Sequence, residues 1–228
     1  MKAVTVCVLV YRDLSWLSFV LDGLAWARNT TPHRVMIVGN DPAAELIASG
    51  RLDMIHRSAD PSEHYIKRVY RAWNAAILAA QTDWVVPLNS DMYVSDFWLD
   101  ALVEEKTSNP KSLPCGLLVE SGRIASAMPE HVKDFGKTPL TFDTEGFRLH
   151  AASLRASGTG PGRLFQPVLF DKAEFFKLGG YPIGNVTRNG LTVSGDLDLF
   201  NRYRSCGFEW VTCLGSVVYH VQEGEMRS

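Results

Sequence analysis

The chain has 228 residues, 46% of them hydrophobic and 21% charged, and carries a net charge of −2. That length makes one large globular domain or two small ones. The charge gives no electrostatic case for a nucleic-acid partner, and Lys and Arg form no block of like charge. The four cysteines, Cys7, Cys115, Cys206 and Cys213, contain no CxxC pair of the zinc or redox kind. The apolar stretch from Ala3 to Val10 is far shorter than the roughly 20 residues that cross a bilayer, and no charged-then-apolar leader is visible. Free thiols and a cytoplasmic location follow as expectations, with peripheral membrane contact left open.

In chain order, Val4 to Val10 is a β-branched apolar run of the kind found in strands buried on both faces. Asp13 or Ser15 caps a helix with Leu14, Leu17, Leu21 and Leu24 at helical spacing. Arg34 to Val38 is a second strand, ending at Gly39-Asn40-Asp41-Pro42, and Leu52 to His56 a candidate third. Asp60-Pro61-Ser62-Glu63 predicts a helix start, running to about Ala80. Trp84 to Leu88 is the next strand, and strands alternating with helices imply a parallel sheet.

The second half reads differently. Ser95 is expected to cap a helix carrying Phe97, Leu99, Leu102 and Val103, and Leu117 to Val119 to form a strand. Residues 121 to 163 show no sustained period and read as a long loop. Leu164 to Phe170 is expected as a strand. Asp171-Lys172-Ala173-Glu174 is a capping box for a helix that Gly179-Gly180 ends. A last helix runs from about Asp196 to Cys206, and Glu209 to Val221 is strand material.

Several residues along this path carry chemistry. Asn89-Ser90-Asp91 lies where a buried strand ends. A carboxylate there can hold a divalent cation and, through it, a diphosphate; the same residues also suit a simple turn. His220 ends a strand near the C-terminus and is a candidate second ligand, or a structural histidine, with Glu223 and Glu225 weaker candidates. Lys67, Arg71 and Asn74 share one helix face, which lines an anionic pocket or simply meets solvent. Asp196 and Asp198 open a helix, where they favour the helix dipole or one of them serves as a base. Gly179-Gly180-Tyr181 can end a helix and also let backbone approach a substrate.

The order of these pieces resembles the family 2 glycosyltransferases. It runs from the Val4–Tyr11 strand, through Val38-Gly39-Asn40-Asp41, the helix from Asn74 to Ala80 and Trp84 to Asp91, to Phe175 to Tyr181, Gly195 to Arg202 and Tyr219-His220. The resemblance implies a GT-A fold of the α/β class. That is a single Rossmann-like, mostly parallel sheet with helices on both faces, plus a smaller acceptor-side part. Residues 1–93 would bind the donor and 94–228 the acceptor. It implies Mn²⁺ or Mg²⁺ held by Asp91 and His220, and donor contacts by Val10, Tyr11, Asn40, Asp41, Lys67, Arg71, Asn74, Asn89, Ser90 and Asp91. Asp196 is implied as catalytic base, with Gly179, Gly180, Tyr181 and Asp198 on the acceptor. The implied partners are a nucleotide-diphospho-sugar and a hydroxyl-bearing glycan, lipid-linked sugar or small molecule.

The chain departs from the family's pattern in three places. Asn89 and Gly195 stand where acids are usual, and Trp73 where an Arg is often found. A non-catalytic nucleotide or sugar binder is therefore a rival. A sugar-phosphate nucleotidyltransferase is a weaker one, because Tyr11-Arg12-Asp13 has no phosphate-loop glycine.

Overall fold

The computed structural model describes residues 2–225 except 61, 189 and 190. Its elements are β1 (Val4–Val10), α1 (Leu14–Trp26), β2 (His33–Asn40), α2 (Ala44–Ala48), β3 (Met54–His56), α3 (Tyr65–Ala79), β4 (Trp84–Asn89), β5 (Met92–Val94), α4 (Trp98–Ser108), β6 (Ser112–Glu120), α5 (Thr144–Leu154), β7 (Thr159–Pro161), β8 (Phe170–Asp171), α6 (Lys172–Lys177), β9 (Val186–Arg188), β10 (Leu191–Val193), α7 (Gly195–Ser205) and β11 (Glu209–His220).

Alternation along β1 sets the layers. Val4, Val6, Val8 and Val10 join a cluster with Trp16, Leu17 and Val20 of α1, while Cys7 and Leu9 join Tyr70, Trp73 and Ile77 of α3. Successive strand side chains point to opposite faces, so a strand with apolar residues on both faces demands a helix layer on each side. The strand order is β3-β2-β1-β4-β8, with β8 alone antiparallel. A second sheet is built on β11, which runs parallel to β6 and antiparallel to β5 and β7. The two sheets meet through residues 167–171: Gly116 N–H donates to Pro167 O (2.8 Å) and Leu169 N–H to Pro114 O (3.0 Å).

Some expected elements change. Asp60 does not open α3; its carboxylate takes Ser62 N–H (2.9 Å) and hydroxyl (2.6 Å) in a local turn. Glu63 is drawn to Arg71 at 3.0 Å, and the helix starts at Tyr65 with His64 as cap. Pro61, part of that expected start, lies outside the described residues. Ser95 does not cap α4: its N–H extends the pairing to β11 by donating to Val217 O (3.1 Å), and the helix begins only at Trp98, with Phe97 at the cap position with φ 60°. The stretch expected as one loop, 121 to 163, contains α5 and β7. Of Leu164 to Phe170 only Phe170 lies in a strand, though Val168 still bridges to Cys115. Strands β9 and β10 pair antiparallel with each other.

Candidate active site

β1, β2 and β4 run parallel, so their carboxyl ends lie along one edge, the usual ligand edge of an open α/β sheet. A cavity of about 630 Å³ opens there. Val10 and Tyr11 reach it from β1, Asn40 from β2, and Asn89, Ser90 and Asp91 from β4 and the turn beyond. Asp196 and His220, distant in sequence, line the same cavity.

The turn after β4 holds Asp91 in place. Ser90 N–H donates to Leu9 O (3.1 Å), Val221 N–H to Asp91 O (3.0 Å), and Gly224 N–H to the Asp91 carboxylate (2.9 Å). His220 Nε2 lies 3.6 Å from that carboxylate, and its Nδ1 lies 3.6 Å from Glu120 Oε1. Burial opposes charge on His220, but Asp91 and Glu120 on either side outweigh it and raise its pKa. Burial also works against ionised Glu120, yet contact with His220 and the hydroxyl of Ser126 lowers its pKa overall. Glu120 was not foreseen from the sequence: an acid ending a nine-residue buried strand, β6, was the available signal.

Asp196 sits in the first turn of α7. The cap is Ser194, whose hydroxyl takes Leu197 N–H (3.2 Å), so Asp196 is left for other contacts. Tyr70 OH donates to Asp196 Oδ2 (2.7 Å) and accepts from Asp196 N–H (3.2 Å). Burial raises the Asp196 pKa, and the Tyr70 hydrogen bond only partly offsets it. The glycine before it is required: a Cβ on Gly195 would lie 2.4 Å from the Tyr70 ring. Tyr70 is itself stacked on Tyr181, centroids 5.2 Å apart.

Glu225 also enters the cavity. Its carboxylate accepts from Tyr11 N–H (2.9 Å), Arg12 N–H and Asp13 N–H (both 3.1 Å) and the Ser90 hydroxyl (2.6 Å). Burial raises its pKa, with those donors pulling the other way. Asn40 is buried, and its Oδ1 has no hydrogen-bond partner among the described residues. An orphaned buried acceptor at the wall of a cavity is a place for a ligand's donor.

Other anticipated residues lie elsewhere. On α3 the residues facing the cavity are Tyr65, Ile66, Arg68, Val69, Tyr70 and Trp73. Lys67 and Arg71 turn to Glu63, and Asn74 holds the Tyr181 backbone through two hydrogen bonds (2.8 and 2.9 Å). The polar stripe therefore does not line this cavity, because the bulky apolar side of α3 both packs on β1 and forms the wall. Asp41 is bound by Ser58 (2.7 Å) and Arg68 (3.3 Å) just outside. Asp198 is buried against Arg202 (3.0 Å), and Arg202 donates to Leu178 O and Gly180 O. Asp198, Gly179, Gly180 and Tyr181 thus brace the α6–α7 region rather than line the cavity.

Residues 63–155 match the family model described as Glycosyl transferase family 2. No curated protein matches the chain in sequence. Among solved structures, S. aureus TarS 1-349 superposes with a TM-score of 0.59 at 12% identity, over 96% of this chain and 60% of that one. GalNAc-T7, solved with UDP, GalNAc and Mn²⁺, gives 0.62 at 13%, over 96% of this chain and 44% of that one. The chain therefore spans about half the length of these two structures. Its fold is the GT-A fold they share. No helix among the described residues is long and apolar enough to cross a membrane.

Proposed function

We propose that the chain is a family 2-like, metal-dependent glycosyltransferase, moving a sugar from a nucleotide-diphospho-sugar to a hydroxyl acceptor with inversion. The observation that carries this reading is one cavity at the strands' carboxyl edge with Asp91 and His220 at one part and Asp196 at another. The family match over 63–155 and the shared fold support it.

The residues present fit a divalent cation. Asp91 and His220 offer an oxygen and an imidazole nitrogen 3.6 Å apart, close enough to share one ion. The described residues contain no group of three His, Cys, Asp or Glu side chains suited to a metal, so the remaining ligands would be diphosphate oxygens and water. Mn²⁺ or Mg²⁺ there would neutralise charge on the departing diphosphate.

The protein's own groups do the rest. Asn40 Oδ1 is placed to accept a hydrogen bond from the nucleoside. Tyr70 fixes the Asp196 carboxylate, which takes the proton from the acceptor hydroxyl. The hydroxyl oxygen bonds to the anomeric carbon as the carbon–oxygen bond to diphosphate breaks. Burial raises the pKa of Asp196, which makes its carboxylate a stronger base than an ordinary aspartate.

The test is a melting-temperature screen of nucleoside diphosphates with and without Mn²⁺. Ligands that bind only the native state raise the melting temperature. At least one diphosphate is expected to do so only with Mn²⁺, and Asp91→Ala to abolish the shift while remaining folded. A metal-independent shift that survives Asp91→Ala would remove the reading.

A further inference from the structure

A second cavity, of about 540 Å³, lies on the other side of β5 and shares no lining residue with the first. It is framed by the end of α1, the turn from β5 to α4, and α5. Its charge is unlike that of the chain: three guanidinium groups, Arg28, Arg148 and Arg155, face one carboxylate, Asp96, in a molecule of net charge −2.

The arginines are held rather than loose. Arg148 lies 4.4 Å over the Trp26 ring and donates to Tyr93 OH (2.7 Å). Arg28 and Arg155 flank Phe97, at 5.4 and 5.0 Å from its ring centre, and Phe97 is the residue forced to φ 60°. Arg28 is spent on Asp96 (2.6 Å), whereas the Arg155 guanidinium, whose charge also reaches Asp96, makes no side-chain hydrogen bond or close ion pair among the described residues. A further observation points to a missing partner: Ser95 is 7% exposed, lines the cavity, and its hydroxyl has no hydrogen-bond partner among the described residues. Trp26, 65% exposed, stands at the rim.

We infer that this cavity is a second binding site, for a saccharide that carries a compact anion, phosphate or carboxylate. Planar guanidinium forks match both anions in bidentate geometry. Arg155 and the remaining donors of Arg148 hold the anion, the Ser95 hydroxyl completes its hydrogen bonding, and the exposed indole offers an apolar face to the sugar ring. The volume lies in the range of small-molecule pockets, more than a bare anion fills. Asp96 is already paired with Arg28 and so opposes the anion less than a lone carboxylate would. The inference holds whether or not the chain transfers sugar.

Calorimetric titration of the full chain with glucose 6-phosphate, glucuronate, glucose and inorganic phosphate tests it. At least one charged sugar binds and glucose does not; which of the two binds identifies the anion. Arg155→Gln, an exposed change that removes the contact with the Phe97 ring but no side-chain hydrogen bond, weakens that binding tenfold or more. Trp26→Ala brings the charged sugar down to the weaker affinity of inorganic phosphate. Saturating nucleoside diphosphate with Mn²⁺ leaves the affinity unchanged, since it would occupy the other cavity. The site is refuted if neither charged sugar binds, if binding survives Arg148→Gln combined with Arg155→Gln in a protein of unchanged circular dichroism, or if nucleotide competes. Inorganic phosphate binding as tightly as the charged sugar refutes the saccharide.

Discussion

Asp196 is a carboxylate kept where it is uncomfortable. Its folded pKa is raised above the ordinary 3.8 by burial, so its proton favours the folded state. That contribution is present at low pH and is lost as pH climbs from 3.8 through the raised value. Asp196→Asn is therefore expected to raise the melting temperature at pH 7 while cutting transfer by about 10²–10⁴-fold, the usual size of a general-base effect. Donor affinity should stay near wild type. Because Ser194 is the cap, a purely structural Asp196 would leave the rate within about threefold of wild type. Tyr70→Phe removes the hydrogen bond that lowers the Asp196 pKa, so the acid limb of the rate profile should move to higher pH. An unmoved limb would separate Tyr70 from the base. At His220 the sign is different in consequence: its raised pKa means that protons compete with a metal over a higher pH range, so Mn²⁺ affinity should fall as pH drops through that pKa. A Mn²⁺ titration at several pH values measures it.

The decisive element is the short segment that follows β11. Gln222 and Glu223 both have positive φ, 66° and 55°, which is uncommon for residues with a side chain. Gly224 then passes so close to α1 and the β4 turn that a Cβ would meet the Trp16 ring at 2.5 Å and Asp91 Cβ at 2.7 Å. Gly224→Ala should destabilise the fold by about 1–3 kcal/mol, the usual penalty for overpacking, read from denaturant unfolding. Beyond it Glu225 accepts from three backbone amides and a hydroxyl beside Asp91. A negative group there competes with an incoming diphosphate. Glu225→Gln is expected to tighten nucleoside diphosphate binding severalfold in a titration. Weaker binding would mean that the carboxylate shapes the β1–α1 loop for the nucleotide instead.

Across the whole molecule, residues 1–93 and residues 94–228 interlock. β8, from residues 170–171, pairs with β4, and β5, from residues 92–94, pairs with β11. One apolar cluster takes Val4 and Leu88 from the first half and Leu102 and Val217 from the second. We propose a single folding unit. Calorimetry should show one transition with equal calorimetric and van't Hoff enthalpies. Two separable transitions, or a folded 1–93 fragment, would contradict it.

The strands at the core were plain in the sequence because their signal is local: Val4–Val10, apolar but for Thr5, and Trp84–Leu88 are near-continuous apolar runs, and only burial on both faces uses such a run. The same holds for the Asp171 capping box and for the placing of Asp91 at a strand end. The phase of α3 was not plain, since both its polar and its apolar stripes suit a helix, and packing against β1 decided which one meets the cavity. Tyr70 finds Asp196 across 126 residues, and Glu225 finds the β1 loop across more than 210. Such pairs leave no periodicity or spacing in the chain. Sequence by itself determined the sheet and its carboxyl edge, through hydrophobic patterning; the tertiary structure alone decided which polar groups are driven together there, because burial forces each to find a partner and the nearest partner in space is remote in sequence.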